Sequence, residues 1–265
     1  MNPVALDLGP LTISTYTAWL GAGILLALGL LLWRAYRERP GAALPWLDVA
    51  LVALAAGLIG ARLLHVWLNW TYFADHTGEI ARVSSGGLDW HGALLVGLPA
   101  AWLAAQIRRV PFARWTDAAA MGWPLAMIAA WLACRRAGTA YGYEVRTLAD
   151  YPGWLVTELP DIYGIIAPRL EVQRAGAAFG LVLLALILLI AWRGWLPGLR
   201  LWLILALTGT GLFFLGFFRA DPTPMLLDHR ADQVFDLALL GISTATGGLI
   251  WLRGRRENQE QNTEA

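Results

Sequence analysis

Residues 46–69 read WLDVALVALAAGLIGARLLHVWLN, and the way this stretch is solvated decides the fold. At about 1.5 Å of rise per residue, a helix of this length crosses the roughly 30 Å of hydrocarbon in a bilayer. Working outward, similar stretches recur at about residues 15–33, 88–107, 115–133, 175–192, 199–218 and 233–252. The expectation is an all-α membrane protein of seven transmembrane helices with short loops. One longer connection runs from Cys134 to Arg174, and residues 258–265 form a polar, disordered tail. No fixed-period repeat and no pair of interrupted helices in corresponding halves appears, so the inverted-repeat signature of a transporter is missing.

Composition agrees. Of 265 residues, 58% are hydrophobic and 15% charged, with mean hydropathy +0.54, against roughly 25% charged residues in a soluble domain. A net charge of +1 gives no general attraction for nucleic acid. All 20 basic residues are arginine, which excludes lysine imine chemistry. The single cysteine, Cys134, excludes an intrachain disulfide and a thiolate metal cluster, and it reads as a small buried hydrophobe. No metal-ligand spacing and no phosphate-cradling glycine loop is present. Ser243 lacks the context of a serine nucleophile.

Arginine placement sets an expected orientation, because short cytoplasmic loops retain positive charge. Arg34, Arg37 and Arg39 follow the first span, and Arg108, Arg109 and Arg114 separate the third and fourth. Arg193 and Arg200 flank the next odd-numbered loop, and Arg253, Arg255 and Arg256 begin the tail. The N-terminus is therefore expected outside and the C-terminus in the cytoplasm. With no basic leader or small-residue cleavage site before it, the first span reads as permanent. Ionisable residues within spans are costly and face cavities. In this orientation Tyr16, Arg62, His65, Asp89, His91, Arg135, Arg136, Arg219, Asp232, Gln233 and Asp236 all gather toward the outer leaflet. An outer-leaflet anion site follows, since the planar guanidinium fork suits phosphate.

Two constellations stand out. Arg62 follows Gly57 and Gly60, which permit close helix contact; it is read either as a ligand-holding cation or as an arginine paired with a neighbouring carboxylate or snorkelling outward. His65, one turn on, suits a hydrogen bond within the bundle. Residues 86–92, GGLDWHG, feed a carboxylate and an imidazole into the third span. With a reference pKa near 6.5, His91 suits a general base. The alternative makes Asp89 a plain helix N-cap and Trp90 a belt residue.

In this order, these residues resemble the bacterial prolipoprotein diacylglyceryl transferase family along nearly the whole chain. Residues 8–13 with Tyr16 are similar to its "GPLxIRWYG" start, Gly57–Leu63 to "GxxxGARL", and Gly86–Gly92 to "GGLSxHGG". Asp117 falls where the family carries an aspartate. The stretch from Arg136 through Gly138 to Glu144 lies on "RIGNFxNxE", or equally on a variant "GCFxxGCCYG" through Cys134, Gly138, Tyr141 and Gly142. Gln173 resembles the glutamine of "PxQ", Phe217–Arg219 with Asp221-Pro222 the "EFFRxPD" element, and Asp232-Gln233 the start of the last span. The sequence departs at Thr139 and Gly142 in place of asparagines, at Gly216 in place of a glutamate, and at Leu212 in place of an arginine.

The resemblance implies a single seven-span domain over residues 1–257 in the bacterial inner membrane, with its active site toward the outer leaflet. It implies transfer of the diacylglyceryl group of phosphatidylglycerol to the lipobox cysteine of a prolipoprotein, with no cofactor and no metal. The partners would be that lipid, the lipobox peptide and the bilayer, with no nucleic acid. By the same resemblance His91 assists thiol deprotonation, Arg136 and Arg62 neutralise phosphate, and Tyr16 positions the lipid head group. Gly86, Gly87, Arg135, Gly138, Glu144, Arg219 and Gln233 line the substrate site. Arg135 or Arg230 is expected to stand in for the missing cation, and Asp232 or Asp236 for the missing acid. The competing expectations are a divergent member that binds anionic lipid or modifies another acceptor, and a small-molecule transporter.

Overall fold

The computed structural model describes residues 4–7, 12–83 and 86–264, and it is built mostly of helix. A short antiparallel pair, β1 (Val4–Asp7) and β2 (Thr12–Ser14), precedes α1 (Thr15–Glu38). The Ser14 hydroxyl caps α1 by accepting from the Thr17 amide at 3.1 Å, satisfying one of the free amides of the first turn. Then follow α2 (Ala43–Leu68), the short α3 (Trp70–Asp75), α4 (Trp90–Arg108) and α5 (Phe112–Ala137). A hairpin of β3 (Val156–Pro160) and β4 (Ile166–Leu170) leads into α6 (Val172–Trp192) and α7 (Arg200–Gly216). A two-residue pair, β5 (Met225–Leu226) and β6 (His229–Arg230), precedes α8 (Ala231–Glu264).

The helices pack chiefly as α2 on α4, α1 on α5, α6 on α5 and α8 on α7. Glycines make the first of these contacts close: a side chain at Gly92 would strike the Gly60 carbonyl. Trp46, Val49, Trp115, Met121, Leu183, Ile187, Ile204 and Leu205 belong to one buried core. Leu25, Ile59, Leu95, Leu181 and Ile242 lie mid-helix yet point outward. So much aliphatic surface in the middle of long helices suits a hydrocarbon surround rather than water.

Six helices are long and apolar enough to cross a membrane: α1, α2 with its preceding turn, α4, α5, α6 and α8. The expected span at 199–218 is shorter, because α7 ends at Gly216 and the chain turns through Phe217 and Phe218. Its 17 residues reach about 25 Å, less than the roughly 30 Å of an average hydrocarbon core. Two other expectations change. The long connection begins only at Gly138, since α5 runs three residues past Cys134, and the β3–β4 hairpin occupies much of it. The tail expected to be disordered is helical to Glu264. After Gly254 it contains neither glycine nor proline, and its Arg, Glu and Gln residues are good helix formers.

Candidate active site

The geometry starts from Arg62, only 7% exposed near the end of α2. Its guanidinium donates to four backbone carbonyls of the segment between α3 and α4: Nε to Ile80 at 2.8 Å, Nη2 to Glu79 at 2.7 Å, and Nη1 to Gly86 at 2.8 Å and Gly87 at 3.0 Å. The edge of this fork is thus spent on peptide oxygens, while the Phe73 ring lies 5.1 Å from its Cζ. Turning both glycine carbonyls toward one cation needs left-handed backbone, φ +86° at Gly86 and +72° at Gly87. A Cβ at Gly87 would also lie 2.5 Å from His65 Nε2 and 2.7 Å from Arg62 Nη1. Sequence reasoning assigned Arg62 to phosphate, but in the fold it clamps the segment that delivers Asp89 and His91. The His65 ring meets Phe73 edge-on at 5.9 Å, and its Nδ1 lies 3.5 Å from Asn69 Nδ2.

The Asp89 amide donates to the Ala61 carbonyl at 3.0 Å, tying the start of α4 to α2 beside Arg62. The Asp89 carboxylate then caps α4 from the His91 amide at 2.9 Å and meets His91 Nδ1 at 3.0 Å. On the far side of the ring, His91 Nε2 lies 3.1 Å from Asp236 Oδ1 of α8. The ring is 7% exposed, with Trp90 and Phe235 against it. A neutral imidazole has one N–H, so it can satisfy only one carboxylate. With a carboxylate oxygen on each nitrogen, the unit is satisfied by a second proton, held by the ring or by Asp236. Burial works to raise the Asp89 carboxyl, but the hydrogen bonds and charge of His91 outweigh it and hold the group below the usual carboxylate range.

One turn before Asp236 on the same helix, Asp232 leads to a second cluster. Arg219 donates to Asp221 with the two nitrogens of one edge, Nε at 2.9 Å and Nη2 at 2.6 Å, and to Asp232 from Nη1 at 2.8 Å. Arg230 binds Asp232 at 3.2 and 3.1 Å, the Thr223 hydroxyl at 2.9 Å and the Asp221 carbonyl at 3.1 Å. Burial disfavours the Arg219 charge, yet Asp221 and Asp232 keep its pKa above the ordinary value. Two cations and two anions neutralise each other here. Gln233 donates from Nε2 to the Phe213 carbonyl at 3.0 Å, and its side chain lies over Gly216. The space that a glutamate side chain at position 216 would need is thus filled.

The segment after α5 is stitched to the same end. Gly138 terminates α5 in a left-handed conformation. Beyond it, Gly142 bridges to Arg219, the Tyr143 amide donates to the Phe218 carbonyl at 3.2 Å, and the Ala220 amide donates to the Tyr141 carbonyl at 2.9 Å. Glu144 is exposed and lies 3.6 Å from Arg169. Arg135 is committed to the fully buried Glu171, at 3.1 and 2.9 Å, with Arg174 also on that carboxylate at 3.2 Å. It therefore does not take up the role of the missing cation; Arg230 is the arginine that joins Arg219. Arg136 is exposed and has no hydrogen bond or ion pair among the described residues. Tyr16 is 38% exposed in the first turn of α1. Residues 8–11 of the opening motif lie outside the described residues. Gln173 is buried and donates to the Thr139 carbonyl at 3.0 Å.

The sequence-derived residues thus connect from Arg62 through Gly86, Gly87, Asp89 and His91 to Asp236, and from Asp232 to Arg219 and residues 142–144. Asp232 and Asp236, expected only as stand-ins for the missing acid, take separate places, Asp236 on His91 and Asp232 on Arg219 and Arg230, and Asp221 completes the second cluster. The spacing of Asp232 and Asp236, four residues apart on one helix face, was the available signal. Asp117 does not belong to this end: it accepts from the Gly198 amide at 2.7 Å and the Arg200 amide at 3.2 Å, capping α7.

Comparison with known proteins gives the family context of the chain. The sequence model described as prolipoprotein diacylglyceryl transferase matches residues 3–251. The chain is similar to the phosphatidylglycerol--prolipoprotein diacylglyceryl transferase of Symbiobacterium thermophilum, 36% identical over 60% of this chain and 58% of that protein. It is 34% identical to that of Bacillus velezensis over 45% of this chain and 44% of the relative. In these two alignments the chain spans about half the length of the relatives it matches. With the protein of the same name from Lysinibacillus sphaericus it is 25% identical over 96% of this chain and 93% of the relative.

Proposed function

The chain belongs to the prolipoprotein diacylglyceryl transferase family, and on that basis we propose that it transfers the diacylglyceryl group of phosphatidylglycerol to the lipobox cysteine of prolipoproteins. The observation that carries the reading is His91 held between Asp89 and Asp236 at the same end of the bundle as Arg136, which is exposed and has no hydrogen bond or ion pair among the described residues. In the reaction the peptide sulfur attacks the glyceryl carbon that bears the phosphate ester. A C–S bond forms, the C–O bond breaks, and glycerol phosphate leaves with the electron pair. The thiol proton needs an acceptor, because the thiolate is the nucleophile. In the form that lacks the second proton, the Asp89–His91–Asp236 unit sets the His91 Nε2 lone pair against the Asp236 carboxylate, and taking up the thiol proton, on the ring or on Asp236, relieves that repulsion, so the unit in that form is suited to the step. Arg136 is free to balance charge on the departing phosphate. Arg219 and Arg230 fix Asp232 and the start of α8, and Arg62 positions Asp89 and His91 rather than touching the lipid. Tyr16 contributes to the head-group end.

We orient the molecule with its N-terminus outside and its C-terminus in the cytoplasm, with α7 as a seventh, short crossing accommodated by local thinning of the bilayer. The membrane is the bacterial inner membrane, and the His91 end faces the outer leaflet. The test is complementation of a transferase-depleted bacterium, scored by the mass of a lipobox peptide. A thioether-linked diacylglyceryl mass is expected with the wild-type chain and not with Arg136→Gln; well-folded wild-type protein that yields no adduct would refute transfer. That result would favour the divergent reading, in which the chain holds anionic lipid without transferring it. The specific observation behind that alternative is Gln233 lying where a glutamate at position 216 would have to fit.

A further inference from the structure

At the end of the bundle away from His91, the last turn of α1 and the first turns of α2, α5 and α7 enclose a cleft of about 240 Å³. Arg34, Glu38, Trp46, Arg114, Asp117 and Arg200 line it. Three cations face two carboxylates, and the carboxylates are already engaged. Arg114 donates to Glu38 at 2.6 Å, while Asp117 accepts from the backbone amides of Gly198 and Arg200. Arg200 is the telling group. Its side chain is only 8% exposed. Its Nε donates to the Trp195 carbonyl at 2.9 Å, but Nη1 stands 4.0 Å from Asp117, beyond hydrogen-bond reach. Neither of its terminal nitrogens has a hydrogen bond among the described residues, and both belong to a side chain that walls the cleft. Arg34 likewise has no hydrogen bond or ion pair among the described residues. A nearly buried guanidinium with unspent terminal donors, beside an exposed one that feels Asp117 only through longer-range attraction, is matched by an oxyanion that accepts from both.

We propose that this cleft binds a phosphate group, carried either by the head group of an anionic phospholipid or by free phosphate. Its volume lies below the roughly 300 Å³ of ordinary small-molecule pockets, so it admits a phosphate with a small polar substituent and excludes acyl chains. That the source lies on the cytoplasmic side rests on the orientation proposed above; binding itself does not.

The test measures the unfolding midpoint of the purified full chain in nanodiscs of phosphatidylcholine, titrated with inorganic phosphate against chloride at equal ionic strength. A second arm replaces part of the phosphatidylcholine with phosphatidylglycerol. A saturable rise with inorganic phosphate identifies a soluble anion as sufficient, and a rise only with phosphatidylglycerol identifies the lipid head group. In either arm Arg34→Gln, an exposed position that should not disturb folding, is expected to weaken the response about tenfold. Arg200→Gln should abolish the cleft's share; both cleft variants are read in an Arg136→Gln background, so that phosphate bound at the opposite end of the bundle does not contribute to the response. No rise in either arm, or wild-type responses from both cleft variants, would overturn the proposal. Because the readout is binding, it succeeds or fails independently of diacylglyceryl transfer.

Discussion

Arg62 and Arg136 are both arginines that the motif pattern pairs with phosphate, but their surroundings separate them. Arg62 is buried and holds four carbonyls; Arg136 is exposed and holds none. Removing a buried charged donor leaves its acceptors unpaired, so Arg62→Ala should cost about 3 kcal/mol or more of stability. Arg62→Lys should recover little, because one ammonium cannot reproduce a fork that meets four oxygens. Arg136→Gln should stay within about 0.5 kcal/mol of wild type and lower transfer about 10²-fold or more. Thermal unfolding in detergent beside single-turnover transfer separates the two; parallel losses of activity with no melting change in Arg62→Ala would remove its clamping role. At His91 the decisive partner is Asp236, contributed from 145 residues away. Asp236→Asn keeps the shape but offers no anion to a protonated ring, and a loss of about 10²-fold or more in the rate of transfer is expected, with the substrate KM little changed. A normal rate in that variant would show that His91 works without it. The residue types were legible in the sequence, whereas the division of labour among them was not. Exposure and partners distinguish one arginine from another, and both depend on how remote helices meet.

Among the elements, the pairing of α7 with α8 shows how much a helix contact can hide. Six apolar helices could be read from hydropathy because their solvation is a local property of about 20 residues. The shortness of α7 could not, since Phe217 and Phe218 continue the apolar run after the backbone has turned. The loss of a glutamate at position 216 was visible in the sequence; its occupation by Gln233 was not. A Cβ at Gly216 would lie 2.6 Å from Gln233 Cγ and 2.9 Å from Cδ. Gly216→Ala should therefore destabilise by about 1–3 kcal/mol through overpacking, and Gln233→Ala in the same chain should relieve most of that penalty. Additive losses in the double-mutant cycle would mean that the two residues do not compete for the space. At the other end of α7, Asp117 caps amides some 80 residues away in sequence, at Gly198 and Arg200. Asp117→Ala should cost about 1 kcal/mol, seen as a lower melting temperature, since a lost helix cap costs about that much.

For the whole molecule, the arginine count per loop and the length of α7 pull on the same question. Eleven arginines sit in the odd-numbered loops and at the start of the tail, and in an N-out insertion all eleven lie inside if α7 crosses, whereas Arg253, Arg255 and Arg256 move outside if it does not. If α7 stayed on one side, the segment from Asp221 to Arg230 would lie on the same side as Arg193, and α8 would run the opposite way. The neutral Arg219–Arg230–Asp221–Asp232 cluster would then face the cytoplasm, apart from any lipid delivered through the outer leaflet. With only Cys134 to remove, the question can be put directly. In a Cys134→Ala background, Tyr163→Cys and Thr223→Cys should react with a membrane-impermeant maleimide on intact spheroplasts. Arg109→Cys and Arg193→Cys should react only after permeabilisation. Labelling of position 163 but not 223 from outside would establish six crossings in place of seven and separate the His91 triad from its proposed leaflet. The expected pattern requires a short α7 to span, and the bilayer pays for that at a fraction of a kcal/mol per Å of mismatch. Burial of the Asp89–His91–Asp236 contact, which joins α4 to α8 across the bundle, is the compensating interaction. Asp236→Ala should therefore weaken the hold of α8 on α4 as well as the chemistry, and accelerated proteolysis of the segment between α7 and α8 in that variant is the outcome to measure.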